Sequence, residues 1–234
     1  MKFTFLTLFP NIIECYFQDS ILKKAIDKSL LEVEFINPRD YTQDKHKKVD
    51  APLVGGGAGM LMTPQPLSSA IEDIKQKSPK AHIVFLTPSA KPFRQKDAKR
   101  LAEKKHIVLV SGRYEGFDER VIELYADELF STGDYILTGG ELPSLIICDA
   151  ISRNIPGVLG NETSLDEESF ENTLLEAPSF TKPDIFKKNS LIKEFLKGNH
   201  GKIATLKYDL SLLKTKYYRP DLYEKAKTRI KNEK

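Results

Sequence analysis

The sequence has no tryptophan, three methionines, four histidines and only two cysteines in 234 residues. The cysteines, Cys15 and Cys148, each lie in apolar surroundings. They give no disulfide framework and no thiolate metal site, and read as buried, reduced thiols. His46, His82, His106 and His200 are scattered, so no metal-ligand spacing and no Ser/His/Asp arrangement is legible. His82 and His106 open strand-like runs and read as structural. No apolar run approaches the roughly 20 residues that cross a bilayer. Met1–Pro10 has one basic residue and a very short apolar run, unlike a secretory leader. The expected compartment is the cytoplasm, without a membrane partner.

What is present is an ordinary globular balance, 40% hydrophobic and 29% charged. That suits one large domain or two modest ones. The net charge of +3 conceals an asymmetry: Thr181 to Lys234 holds 15 Lys and Arg against 6 Asp and Glu, and the remainder is acidic. A basic segment on an acidic body fits a polyanionic partner, although a solvated lysine-rich helix has the same composition.

Apolar periodicity alternates strands with helices. Strands are expected over 2–9, 31–36, 81–86, 106–110 and 128–131, and helices over 20–30, 64–74, 95–104, 118–125 and 142–153. The pattern implies a mainly parallel sheet covered on both faces. Between Arg39 and Thr63 lies a long polar stretch with Gly55-Gly56-Gly57-Ala58-Gly59 against Met60-Leu61-Met62, read as a loop that docks. The order lapses at 161–179, which is polar and acidic and reads as a linker. After Pro183 the chain reads as helical and lysine-rich. The expected divisions are therefore 1–160, a linker 161–179, and a basic helical domain 180–234.

The Gly55–Gly59 cluster lacks the lysine of a phosphate loop and the strand–helix flanks of a dinucleotide fingerprint. That missing lysine argues against a nucleotide hydrolase. Gly112, Gly116, Gly139 and Gly140 follow expected strands. Glycine there lets backbone amides and carbonyls approach a flat ligand such as adenine. Tight turns would use the same residues.

Several stretches closely resemble the bacterial tRNA (guanine-N1)-methyltransferase family, the TrmD type. They are Ser111-Gly-Arg-Tyr-Glu-Gly-Phe-Asp-Glu-Arg120, Gly133-Asp-Tyr-Ile-Leu-Thr-Gly-Gly-Glu-Leu-Pro143 and Arg153-Asn-Ile-Pro-Gly-Val-Leu-Gly160. Pro38-Arg-Asp-Tyr-Thr42, Gly55–Met62 and Gly198-Asn-His200 continue the match in order along nearly the whole chain. The resemblance implies the SPOUT superfamily: a trefoil-knotted α/β fold with a mostly parallel sheet, a small helical C-terminal domain, and a homodimer. It further implies S-adenosyl-L-methionine as methyl donor, magnesium dependence, and the anticodon region of tRNA as partner. The acceptor would be guanine N1 at position 37.

By the same resemblance the donor pocket is built from three loops. The first is Phe85, Leu86, Thr87 and Pro88; the second is Gly112, Tyr114, Glu115 and Gly116. The third is Ser131, Thr132, Gly133, Asp134, Tyr135, Ile136, Leu137, Gly139, Gly140 and Pro143. Arg153 falls where the family has the arginine for guanine O6. The catalytic aspartate is replaced in register by Glu168, with Asp166 as the alternative base. Asp50, Gly55, Gly57 and Gly59 are expected around the target base, and Asn199 and His200 near the anticodon. The segment Ile192–Lys197 departs from the proline-bearing family form, which leaves details of C-terminal RNA contact open. Two other readings remain: a SPOUT enzyme methylating a ribose hydroxyl, and a non-enzymatic protein binding RNA through its basic segment.

Overall fold

The computed structural model describes residues 1–161, 165 and 168–232. They form two compact units, Met1–Gly160 and Asn161–Lys234. In the first unit the elements run β1 (Lys2–Leu6), α1 (Pro10–Glu14), a 3-10 turn (Cys15–Gln18), α2 (Ser20–Asp27) and β2 (Glu32–Ile36). Next come a 3-10 turn (Pro38–Tyr41), β3 (Asp50–Pro52), β4 (Met60–Met62), α3 (Pro64–Lys77) and β5 (His82–Leu86). The unit closes with α4 (Gln95–Ala102), β6 (His106–Ser111), α5 (Glu119–Tyr125), β7 (Glu128–Phe130) and α6 (Glu141–Ser152).

The central sheet has five strands in the order β2-β1-β6-β5-β7, and every pairing is parallel. Successive strand residues point to opposite faces, so each strand feeds two cores. Phe3, Phe5, Val84, Leu86, Ile107 and Leu109 face one layer, closed by Ile13, Leu22, Ala98, Leu101, Ile147 and Ile151. Leu6, Ile83, Phe85, Val108 and Val110 face the other, closed by Leu67, Ile71, Ile74, Phe117 and Val121. This double burial is why the strands are nearly continuous in apolar residues.

Local chemistry sets the element ends. Pro10 begins α1 at its first turn, where no intrahelical N–H is needed, rather than simply closing a strand. Helix α2 stops three residues short of the expected Leu30 because Ser29 turns left-handed at φ 58° and the Leu30 amide bonds back to the Ala25 carbonyl at 2.9 Å. Asp118 caps α5 by accepting from the Arg120 amide at 3.0 Å. The long polar stretch is a hairpin, β3 against β4, whose stem bonds the next loop: Glu115 N–H to Met60 O at 2.9 Å and Met62 N–H to Gly116 O at 3.1 Å. Both histidines read as structural are so placed. His106 is buried between Thr4 Oγ1 and Ser78 Oγ, each 2.9 Å away, and His82 Nε2 lies 2.9 Å from Glu128. Cys148 is buried as expected, but Cys15 is exposed. Helical geometry explains the correction: Ile13 and Phe17 turn inward one turn apart, which leaves Cys15 on the outer side.

In the second unit the chain after Pro183 is not yet helical. It first forms a short antiparallel hairpin, β8 (Ile185–Phe186) and β9 (Asn189–Ser190), then α7 (Lys193–Leu196), α8 (His200–Tyr218) and α9 (Pro220–Asn232). The strands are two residues each and carry no Asn-Gly or Asp-Gly turn, so nothing in the pattern marks them. Part of the expected linker is anchored: the Leu175 amide donates to Thr215 Oγ1 at 2.9 Å, and Ser211 Oγ donates to the Leu175 carbonyl at 2.5 Å. Among the described residues no helix is long and apolar enough to cross a membrane.

Candidate functional site

Strands β6, β5 and β7 are neighbours in the sheet, so the loops leaving their C-terminal ends must converge. In parallel α/β sheets that is where ligands bind. A cavity of about 390 Å³ opens there. Leu86, Thr87 and Pro88 form one side, Gly112, Tyr114, Glu115 and Gly116 a second. Ser131, Thr132, Tyr135, Ile136, Leu137, Gly139, Gly140 and Pro143 complete it. Most residues expected for a donor pocket are thus brought together.

Three of them do not line the cavity. Phe85 is wholly buried behind it, packed edge-on against Phe117 at 5.0 Å between ring centroids. Gly133 and Asp134 shape the turn rather than the wall; the Gly133 amide bonds Ser131 Oγ at 3.1 Å. Ser89, Phe117 and Phe130 do line it and escaped the sequence reading. Each adjoins an expected residue, so proximity to Pro88, Gly116 and Ser131 was the available signal.

The loops are cross-tied. Thr87 N–H bonds Phe130 O at 3.1 Å, and Phe93 N–H bonds Ser131 O at 2.8 Å. Glycine is required at Gly140 by close approach: its amide donates to Gly112 O at 2.8 Å, and a Cβ there would sit 2.6 Å from Gly112 N. A Cβ on Gly139 would meet Arg113 Nε at 2.5 Å and Glu141 Oε2 at 2.6 Å. Beneath this crossing, Arg113 Nε lies 2.9 Å from the buried Glu141 carboxylate, whose other oxygen accepts from Thr7 Oγ1 at 2.8 Å. Arg113 also donates to Thr138 O at 3.1 Å. These contacts tie the turn after β6 to the start of α6 and to the end of β1.

Its walls are unusual for solvent-facing surface. Ile136 is 79% exposed and Tyr135 51%, and both line the opening. Apolar side chains around exposed backbone groups suit a flat, partly polar ring system. Glu115 supplies a carboxylate on the same wall and approaches Gly59, where a Cβ would lie 2.5 Å from Glu115 Oε1. Gly55 and Gly57 stand at the open hairpin tip with φ of 95° and 116°. Asp50 sits half-buried at the start of β3.

Arg153 forms the C-cap of α6, its amide bonded to Asp149 O at 3.1 Å. Glu168 belongs to the second unit, where it lines two cavities. One is shared with Glu176, Phe180, Lys182 and Phe195, the other with Asn172, His200, Ile203 and Lys207. Two expected site residues, Glu168 and His200, are therefore brought to one cavity. Asn199 instead caps α8, its side chain accepting from the Lys202 amide at 3.1 Å. Asp166 lies outside the described residues. Among the described residues no group of three or more His, Cys, Asp or Glu is gathered to hold a metal ion.

Residues 1–225 match the family described as tRNA (Guanine-1)-methyltransferase TrmD. A tRNA (guanine-N(1)-)-methyltransferase of Sulfurovum sp. is 67% identical over 225 residues, covering 96% of this chain and 99% of that protein. The protein of the same name in Sulfurimonas denitrificans is 64% identical over 230 residues, covering 98% and 100%. That of Campylobacter curvus is 62% identical, covering 99% and 98%.

Proposed function

The chain belongs to the tRNA (guanine-1)-methyltransferase family TrmD and is an enzyme of that activity; we propose that its strand-end cavity holds S-adenosyl-L-methionine. The observation that carries this reading is the cavity itself: open backbone at Gly112, Gly139 and Gly140, walled by Leu86, Ile136 and Leu137. Its size falls within the range of small-molecule sites. The donor supplies an electrophilic methyl group on a positively charged sulfur. The Glu115 carboxylate favours that cation over the neutral product left after transfer.

The acceptor is N1 of the guanine at tRNA position 37, beside the anticodon. N1 carries a proton near neutral pH, so its lone pair is freed only when a base removes it. Negative charge then develops on O6. Glu168 takes the proton, and the Arg153 guanidinium stabilises O6. The resemblance puts the family's catalytic aspartate at this position, and the glutamate here is one methylene longer. Asp50 and the glycines of the β3–β4 hairpin shape the space around the base, and Asn199 and His200 face the anticodon region. The lysines of residues 180–234 grip phosphates, a term that is salt-sensitive and carries little sequence information.

The reading includes a trefoil knot, supported by the tight passage of Gly140 against the Ser111–Gly112 backbone. It also includes a homodimer. Leu142 and Ile146 are about half exposed one turn apart on α6, and Tyr16 and Ile12 beside them are 45% and 43% exposed. The Tyr16 hydroxyl reaches Asp149 of α6 at 2.6 Å, which joins these residues into one apolar patch. The bacterial relatives are tRNA enzymes, which supports the cytoplasm as the place of action.

Mass analysis of nuclease digests tests the chemistry. The methyl group should travel with the guanine base; recovery on ribose would overturn the assignment.

A further inference from the structure

The β8–β9 hairpin carries features that its own folding does not need. Its two-residue connection is Lys187-Lys188, and both lysines adopt the left-handed region, with φ of 47° and 70°. Glycine or asparagine suits such a turn, and long side chains are disfavoured there. The strand leading into it presents Ile185 and Phe186 to solvent, 66% and 63% exposed. Lys187 Nζ stands 5.5 Å from the centre of the Phe186 ring. Among the described residues neither lysine pairs with a carboxylate. The acidic neighbours along this stretch are Asp184 and Glu194, and Glu194 is occupied by Lys197 at 3.3 Å.

Strain retained at an exposed turn, with a largely exposed aromatic and two cations that no carboxylate among the described residues neutralises, points to a partner rather than to stability. The partner must offer a flat face to a ring and negative charge within one or two residues of it. An unpaired nucleotide has both: the base stacks on the aromatic ring, and its flanking phosphates meet the ammonium groups. An acidic protein surface would use the lysines but leave the ring exposed.

We propose that the β8–β9 hairpin stacks an unpaired base of the tRNA substrate on Phe186 and holds the adjoining phosphates with Lys187 and Lys188. This rests on the tRNA reading above and adds a contact away from the methylated guanine.

The turn strain makes the test decisive. In the double variant Lys187→Gly, Lys188→Gly the backbone is relieved, so its melting temperature should equal or exceed that of the unsubstituted protein. Its equilibrium affinity for tRNA transcript should nevertheless fall about tenfold, and the slope of log affinity against log salt should shrink by about 2. Phe186→Leu should weaken tRNA binding about fivefold or more, whereas Phe186→Tyr restores it. Donor affinity should not change in any variant. Unchanged affinity and salt slope in the glycine pair would overturn the proposal, as would equal loss with leucine and tyrosine at 186. Because binding is read separately from methyl transfer, failure of the enzymatic reading would appear instead as tRNA bound but never methylated.

Discussion

The Gly140 amide donates to the Gly112 carbonyl at 2.8 Å, and the two loops pass so closely that Gly140 has no room for a Cβ. Its φ of −83° is open to any residue, so the restriction is purely one of space. Gly140→Ala must therefore push the Ser111–Gly112 backbone away from residue 140. The expected result is a stability loss of about 1–3 kcal/mol from overpacking. Donor affinity, measured by calorimetric titration, should drop about tenfold, the equivalent of about 1.4 kcal/mol, because the displaced backbone lines the cavity. Unaltered donor binding would remove the cavity from the account.

Arg153 and Glu168 should separate binding from chemistry. Arg153→Ala should lower single-turnover methyl transfer by about 10²–10³, the usual cost of losing one group that stabilises an oxyanion. Glu168→Gln should lower it by about 10²–10⁴. Donor affinity should stay within about twofold in both, on the general rule that a group acting only in the transition state leaves ground-state binding intact. Full turnover in Glu168→Gln would move the base to another carboxylate, with Asp166→Asn the next variant to measure.

Acid stability should depend on Glu128. Burial alone would raise its pKa, but the Arg100 guanidinium, at 2.6 and 2.8 Å, and then His82 outweigh it and hold the carboxyl at about 2, down from an ordinary 4.5. A depressed folded-state value stabilises the fold fully above about pH 4.5, and the contribution drains away as pH falls toward 2. Glu128→Gln should therefore cost about 1–3 kcal/mol at pH 7 and less at pH 3, read from urea midpoints. An equal deficit at both pH values would contradict the assignment.

The apolar patch on α6 predicts assembly. Ile146→Glu places a charge in its middle, where an interface would bury it without a partner. Sedimentation should show a dimer for the unsubstituted protein and a monomer for the variant. A monomer in both would remove the homodimer.

The sheet was legible because its strands are buried on both faces; Phe3-Thr-Phe-Leu6 and Ile107-Val-Leu-Val110 can hardly be read otherwise. Loops at strand ends followed from that order, and their glycines marked where backbone must approach. What could not be read depends on pairing across long separations. The Thr7–Glu141–Arg113 chain under the cavity joins residues up to 134 positions apart, and nothing local announces it. The β8–β9 hairpin was missed because its turn uses lysines where glycine is the usual signal. Cys15 was misplaced because apolar neighbours do not say which side of a helix a residue takes.

The most direct measurement is transfer of a labelled methyl group from S-adenosyl-L-methionine to two tRNA transcripts that differ only in the base at position 37. With guanine there, label should enter the RNA and be recovered as N1-methylguanine; with adenine, incorporation should fall to background. Equal labelling of the two transcripts, or none of either, would contradict the account.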